Sequence, residues 1–310
     1  MSRKKFRAAF TRLLLATPAL PLLACNGEEP FFIRHTVYSR ALPDGGVFPR
    51  PGASCDEICK KVEGCYNGIE CQQKQGADGG IVVDCSSYCD GRRPEGLMSP
   101  GRVVNPDSEL GALFALKAHL EAASVPAFER LAQELAEHGA PALLVRAALR
   151  SAQEEVRHAR AMEALALRHG ASIPEVLVEP FRPRSLEAMA LENAEEGCVR
   201  ESLGALMAGW QARTAADAEV REAMVPIAQE ELRHAELSWA IDAWASRQLG
   251  EAGSARLHEA RLEALRHLER DVEASLPSEE LVVRAGIPSR EAARMLLGGL
   301  AEVVQRPGLA

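Results

Sequence analysis

Apolar side chains recur at every third or fourth position from residue 107 onward, the spacing expected of helices with one buried face. Asp107 or Ser108 can cap the first helix, and Gly139-Ala140-Pro141 ends it and starts the second. The pattern predicts four helices joined by a short loop, a long crossover and a second short loop, at about 108–138, 141–169, 185–213 and 217–250.

The amphipathic pattern continues after Gly250 and predicts two extra C-terminal helices, at about 254–274 and 289–304, that pack on the first four. Ala, Leu, Glu and Arg are abundant, whereas aromatic residues make up only 5% of the chain, and this bias favours helices over sheet. The expected class from residue 108 to the end, extension 251–310 included, is therefore all-α.

One eight-residue sequence occurs twice among these helices. Residues 152–159 (AQEEVRHA) recur at 228–235 (AQEELRHA), an offset of 228 − 152 = 76, with Val against Leu as the single difference. Each copy contains Glu-x-x-His, and a spacing of three residues places both side chains on one helical face.

The apolar stripe of each helix indicates which glutamate points inward. Glu155 and His158 share a stripe with Leu144, Ala148, Ser151, Met162 and Leu165. Glu231 and His234 share one with Met224, Ile227, Ser238 and Ile241. Both pairs are therefore expected in the core, whereas Glu154 shares a stripe with two arginines and is expected in solvent.

Each pair should have a partner glutamate on the preceding helix. Glu121 lies 155 − 121 = 34 residues before the first pair, and Glu196 lies 231 − 196 = 35 residues before the second. Glu195 is the alternative to Glu196, on a neighbouring stripe of the third helix. Glu192 and Glu201 are expected to be surface charges.

Four carboxylates and two imidazoles in one apolar core require an explanation, because buried carboxylates that lie close together repel each other. Two divalent cations would balance four negative charges, and neutral imidazoles would complete the coordination. Oxygen ligands with two nitrogens suit iron or manganese better than copper or zinc. The opposing interpretation is a pair of exposed, duplicated helices without metal.

This pattern resembles the ferritin-like superfamily, nearest to its rubrerythrin-type and di-iron oxidase members, over about residues 108–250. The resemblance implies a four-helix bundle with two iron ions, or manganese, held by Glu121, Glu155, His158, Glu196, Glu231 and His234. It further implies that Glu155 and Glu231 bridge the metals, that Glu121 and Glu196 are terminal ligands, and that each histidine binds one metal.

The implied activity is an oxidase or peroxidase that acts on O2 or peroxide. No rubredoxin-like pair of C-x2-C motifs follows the bundle, so an external electron donor is expected. All three tyrosines precede residue 108, which excludes a radical-storing tyrosine within the helices. The alternatives are a non-catalytic iron- or manganese-binding protein and a scaffold that the metal only stabilises.

The first 24 residues read as a secretory leader with a basic head and an apolar core that ends at Ala24. Leu22-Leu23-Ala24-Cys25 resembles the lipobox of bacterial lipoproteins, which implies cleavage before Cys25 and its lipidation. This resemblance implies a location in the bacterial cell envelope. The residue after the cysteine is Asn26 and not the Asp that commonly retains such lipoproteins at the inner membrane, so the outer membrane is favoured. A plain leader with an incidental cysteine is the alternative. Residues 25–54, rich in Pro and Gly, are predicted to be a flexible tether.

Six cysteines cluster in residues 55–91, namely Cys55, Cys59, Cys65, Cys71, Cys85 and Cys89. An even number in a short exported segment indicates a disulfide-rich module, with a zinc site as the alternative. If both C-x3-C pairs are helical turns, the favoured bonds are Cys55–Cys89, Cys59–Cys85 and Cys65–Cys71. Residues 92–107 then form a linker. A net charge of −8 argues against a nucleic-acid partner.

Overall fold

The computed structural model of the protein describes residues 32–37, 40–41, 47–49, 52–55, 58, 66–75, 81–87, 92–94, 97, 108–173, 175–275 and 277–305. The predicted leader and four predicted lipid- or disulfide-bearing cysteines, Cys25, Cys59, Cys65 and Cys89, lie outside these residues. Among the helices in the described ranges, none has both the length and the apolar character needed to cross a membrane.

Five strands lie in the described residues before 108: β1 (Phe32–Val37), β2 (Arg40–Ala41), β3 (Val47–Phe48), β4 (Tyr66–Gln75) and β5 (Ile81–Ser87). Antiparallel pairing gives a three-stranded sheet in the order β1-β5-β4 and a separate pair, β2-β3. Strand β1 lies within residues 25–54, which the sequence predicts to be a flexible tether. Its sequence, FIRHTV, is rich in β-branched and aromatic residues, which favour pairing over a free chain.

The register of the sheet bears on the cysteine module. Cys71 lies directly opposite Cys85 in the β4–β5 pair, and Cys55 is disulfide-bonded. The expected helical turn at Cys85 is wrong, because the β-branched run Ile81-Val82-Val83 places that cysteine in a strand. The predicted disulfide bonds pair Cys71 with Cys65 and Cys85 with Cys59, so they do not include a Cys71–Cys85 bond. The pairing of the six cysteines remains a prediction.

The described residues from 108 onward are predominantly helical, which confirms the predicted class for this part of the chain. The helices are α1 (Glu109–Glu137), α2 (Ala142–Arg168), α3 (Leu186–Glu192), α4 (Glu201–Thr214), α5 (Ala218–Ala274), α6 (Glu279–Arg284) and α7 (Arg290–Val304). A π-helical segment, Asn193–Arg200, joins α3 to α4 without a break. Helix α1 packs along α2, and α5 packs along both α2 and the α3–π–α4 helix.

One of the two caps predicted for the first helix is present. The Ser108 hydroxyl accepts a hydrogen bond from the Gly111 amide at 3.1 Å, and Ser185 and Asp217 cap α3 and α5 in the same way. Gly250 has φ 69° and ψ −170°, so the long α5 breaks there, where the sequence predicts the end of the fourth helix.

Apolar layers lie on both sides of the central polar residues of α2 and α5. One layer includes Met162 and Leu165 of α2 with Met224 and Ile227 of α5. The layer on the other side includes Ala148, Ala152, Leu237 and Ile241 together with Phe128 of α1. Helix α7 adds a third cluster against α4 and α5, as expected of a packed C-terminal extension. The polar residues between the first two layers are therefore enclosed by hydrocarbon.

The crossover between α2 and α3 is tied to α1 by a buried carboxylate. Glu134 is fully buried and accepts hydrogen bonds from the backbone amide (2.9 Å), Nε (2.8 Å) and Nη2 (2.8 Å) of Arg184. Arg184→Ala should lower the free energy of unfolding by about 3 kcal/mol, because it leaves Glu134 buried without its counter-charge. Urea denaturation measures the change. The matched variant Arg182→Ala removes an exposed arginine of the same crossover and should change stability by less than about 0.5 kcal/mol.

Candidate metal centre

The polar layer brings together six side chains from four helical segments. Glu121 comes from α1, Glu155 and His158 from α2, Glu201 from the start of α4, and Glu231 and His234 from α5. Every one of them is at most 8% exposed. Five are residues that the sequence predicts as ligands, and the sixth is Glu201, which was expected at the surface.

Three carboxylates surround the Nδ1 atom of His158. This atom lies 3.0 Å from Glu231 Oε1, 3.5 Å from Glu121 Oε2 and 3.6 Å from Glu155 Oε2. One donor atom from each of these four residues lies within 4.8 Å of all the others. This group is compact enough for one cation to contact all four residues.

A second group surrounds the Nδ1 atom of His234. This atom lies 3.0 Å from Glu155 Oε1, 3.7 Å from Glu231 Oε1 and 3.9 Å from Glu201 Oε2. Glu155 thus presents Oε2 to one histidine and Oε1 to the other, and Glu231 Oε1 lies near both. The two groups overlap through shared carboxylates, an arrangement suited to two neighbouring cations.

The inward-facing atoms of this cluster find no hydrogen-bond partner in the described part of the chain. They are Glu121 Oε2, both oxygens of Glu155, both oxygens of Glu201, Glu231 Oε1 and the Nδ1 atoms of His158 and His234. Buried polar atoms are normally satisfied, and leaving one unpaired costs about 1–3 kcal/mol. These oxygen and nitrogen atoms are of the kinds that coordinate metal ions, and they lie around one point. Their lack of hydrogen-bond partners therefore fits a site that is completed by cations.

Two further glutamates hold the outer sides of the imidazoles, and they do so across the helix pair. Glu230 of α5 lies 2.9 Å from Nε2 of His158, whereas Glu154 of α2 lies 2.9 Å from Nε2 of His234. Arginines complete each contact: Arg157 donates to Glu230 and Arg233 donates to Glu154, both at 2.7 Å. A carboxylate that accepts the Nε2 proton fixes the tautomer and leaves Nδ1 free as a ligand.

The prediction that Glu154 is solvated is wrong, since only 3% of the residue is exposed. It shares its stripe with Arg150 and Arg157, as expected, but this stripe faces the neighbouring helix α5, which supplies Arg233 and His234. From sequence alone, a charged stripe that packs against another charged helix looks the same as a charged stripe that faces solvent. The first Glu in each copy of the repeat, Glu154 and Glu230, occurs at the same position in both copies and could have indicated this role.

The prediction of Glu196 as the third-helix ligand is also not supported by its position. Its Oε1 atom lies 3.3 Å from Arg200 Nε and 3.9 Å from Arg93 Nη2, and its side chain is 17% exposed. The alternative, Glu195, is exposed. The π-helical segment Asn193–Arg200 explains the difference, because i→i+5 hydrogen bonds shift the facing of every later residue relative to a regular α-helix. The shift turns Glu201 inward.

Burial and mutual repulsion shift the pKa values of the cluster's side chains when no cation is bound. Burial, followed by the charge of Glu155, raises the pKa of Glu121 to about 8. Burial and the neighbouring Glu231 raise the pKa of Glu201 well above its ordinary value. Burial also opposes ionisation of Glu231, but His234 and His158 outweigh it and lower its pKa. Burial opposes protonation of His158 and His234, but the surrounding carboxylates outweigh it and raise the pKa of both imidazoles. Protons on these groups can thus balance the carboxylates when no cation does so.

Neither models of known protein families, nor curated proteins, nor solved structures gave a match to this chain.

Proposed function

We propose that residues 108–250 form a ferritin-like four-helix bundle that binds two divalent cations and reduces O2 or peroxide. The observation that carries the proposal is the cluster of four carboxylates and two Nδ1 atoms, buried, mutually close and without other partners in the described residues. The overlap of the two groups through Glu155 and Glu231 supports two cations over one.

The residues present suit iron, with manganese as the alternative, because hard oxygen donors outnumber the nitrogens. Glu121 and His158 would hold one ion, Glu201 and His234 the other, and Glu155 and Glu231 would lie between them. When bound, a pair of iron ions supplies the electrons for reduction of O2 or peroxide. The chain itself orients the imidazoles through Glu154 and Glu230, and its apolar layers exclude water from both sides.

The proposed cellular setting depends on the sequence. Lipidation of Cys25 would anchor the protein in the bacterial envelope, with the outer membrane favoured, and the oxidising environment there suits the cysteine module. An external donor would return electrons to the metals between cycles.

Anaerobic titration with ferrous iron, followed by stopped-flow mixing with O2 or peroxide, tests the proposal. We expect two iron ions per chain and rapid oxidation that repeats when a reductant is supplied. Tight loading without oxidation would instead support a metal-binding protein that does not turn over. Failure to load iron or manganese would contradict both functions and leave the cluster unexplained.

Glu201 and Glu196 give a direct test of the third-helix ligand. Glu201→Gln should weaken binding of the second ferrous ion at least tenfold, because it removes a charged oxygen donor that faces His234. Glu196→Gln removes the same charge from the same helix but should leave both affinities unchanged. Anaerobic calorimetric titration distinguishes the two variants, and the opposite result would restore the sequence-based assignment.

A further inference from the structure

Arg92 precedes α1 by 17 residues (109 − 92 = 17), yet its side chain is fully buried among the helices. Its Nη2 atom donates to Asn193 Oδ1 at 2.8 Å and lies 3.4 Å from Ser238 Oγ. Its backbone oxygen accepts a hydrogen bond from Ser124 Oγ at 2.8 Å. One residue thus contacts α1, the π-helical segment and α5, so the predicted linker over 92–107 is attached to the helices at this position.

The π-helical segment leaves space for the guanidinium group. A Cβ atom at Gly197 would lie 2.3 Å from Arg92 Nη2, 2.6 Å from Ser238 Oγ and 2.8 Å from Asn193 Oδ1. Any larger residue at this position would displace the arginine. The absence of a side chain at position 197 is therefore what admits Arg92 between the helices.

Two short routes join Arg92 to His234. The first passes through Ser238, whose hydroxyl donates to the backbone oxygen of His234 at 3.0 Å. The second passes through Phe128: its ring centroid lies 5.5 Å from Arg92 Cζ and 5.0 Å from the imidazole centroid of His234. Movement of Arg92 would therefore reach the histidine through both its backbone and its ring.

We propose that Arg92 is a positioning residue of the metal centre, holding His234 and the π-helical segment so that the Glu201–His234 half can bind its cation. This inference rests on the proposed metal-binding function. It means that Arg92, a residue outside the four-helix region, helps to complete the site. Arg92 also brings a buried positive charge, balanced in part by Glu192 Oε1 at 3.6 Å.

A merely structural role predicts a different result from a positioning role. If Arg92 only attached the preceding segment to the helices, its removal would lower the melting temperature but leave the metal affinities unchanged. If it positions His234, its removal should weaken the cation held by Glu201 and His234 selectively, leaving the His158 half unaffected. The cost expected for an outer partner of a metal ligand is about 10–100-fold in affinity.

The experiment compares wild type, Arg92→Ala and Arg93→Ala by titration with cobalt(II), whose visible spectrum reports its coordination. Arg93→Ala is the matched control, because it removes one positive charge from the adjacent residue. The Nη2 atom of Arg93 lies 3.9 Å from Glu196 Oε1. We expect two cobalt ions in wild type and Arg93→Ala. Arg92→Ala should bind the second ion about 10–100-fold more weakly, and added methylguanidinium should restore that affinity.

Wild-type affinity for both ions in Arg92→Ala would overturn the positioning role and leave the proposed function intact. Absence of cobalt binding in wild type would overturn the proposed function itself. If Arg92→Ala loses its helical circular dichroism, the double variant Ser238→Ala, Phe128→Leu decides the question, because it interrupts both routes to His234 and leaves Arg92 in place. An unchanged second affinity in that variant would also overturn the proposal.

Discussion

Replacing His158 and His234 together by alanine is expected to abolish binding of both metal ions while leaving the helices formed. Each half of the site would lose its nitrogen ligand, and the loss should exceed the 10–100-fold typical of removing an outer partner. Glu154 and Glu230 would lose their imidazole contacts but keep Arg233 and Arg157. Metal analysis after anaerobic loading measures the result, and far-ultraviolet circular dichroism checks the fold.

The control for this variant is His267→Ala, because His267 lies outside the cluster on α5, where its half-exposed side chain has Nε2 3.1 Å from Oε1 of Glu263. It should load two ions as wild type does. Metal content in the double variant equal to that of the control would contradict the assignment of both histidines as ligands.

Loading with ferrous iron or manganese is expected to raise the melting temperature by about 10–20 °C. A ligand at 100 times its dissociation constant stabilises the folded state by about 2.7 kcal/mol, or about 5 kcal/mol for two sites. For a domain of about 150–250 residues, each kcal/mol shifts the melting temperature by about 2–4 °C. Cations would also remove the repulsion among carboxylates that are otherwise compensated only by protons and imidazolium.

Differential scanning calorimetry under argon, before and after addition of a chelator, measures this shift. The Glu201→Gln protein should show about half of it, since one of the two ions is weakened. The double histidine variant should show none. A wild-type shift that persists in the double variant would mean that the metal stabilises the protein at some other place.

Much of the centre could be predicted because it follows regular helical geometry. The stripes of α2 and α5 have a period of 3.6 residues, and all four inward residues of the two Glu-x-x-His pairs are buried as predicted. Glu121 follows from the same geometry on α1. These residues depend only on local register, which an uninterrupted α-helix preserves over many turns.

Glu201 could not be predicted because the π-helical segment breaks that register. The prediction of Glu196 assumed that the third-helix ligand precedes Glu231 by about as many residues as Glu121 precedes Glu155, which is 34. The observed separation between Glu201 and Glu231 is 231 − 201 = 30 residues. The segment is stabilised by tertiary contacts, among them the Asn193 amide that donates to the Ser238 backbone oxygen at 2.9 Å. A contact between distant residues leaves no periodic trace in the sequence.

The role of Arg92 escaped prediction for a related reason. An arginine in a stretch rich in proline and glycine is typical of a solvated linker, and the space at Gly197 that admits its side chain is visible only in the structure. The isolated bridge between Leu97 and Val178 shows that the same stretch also contacts the crossover.

The crossed pairing of outer glutamates and imidazoles makes the two copies of the repeat mutually dependent. The copy on α2 supplies a ligand histidine whose orienting carboxylate belongs to the copy on α5, and the reverse also holds. Neither copy is self-sufficient. A damaging substitution in one copy should therefore weaken both halves of the site, whereas a substitution outside the copies, as at Glu201, should weaken only one half.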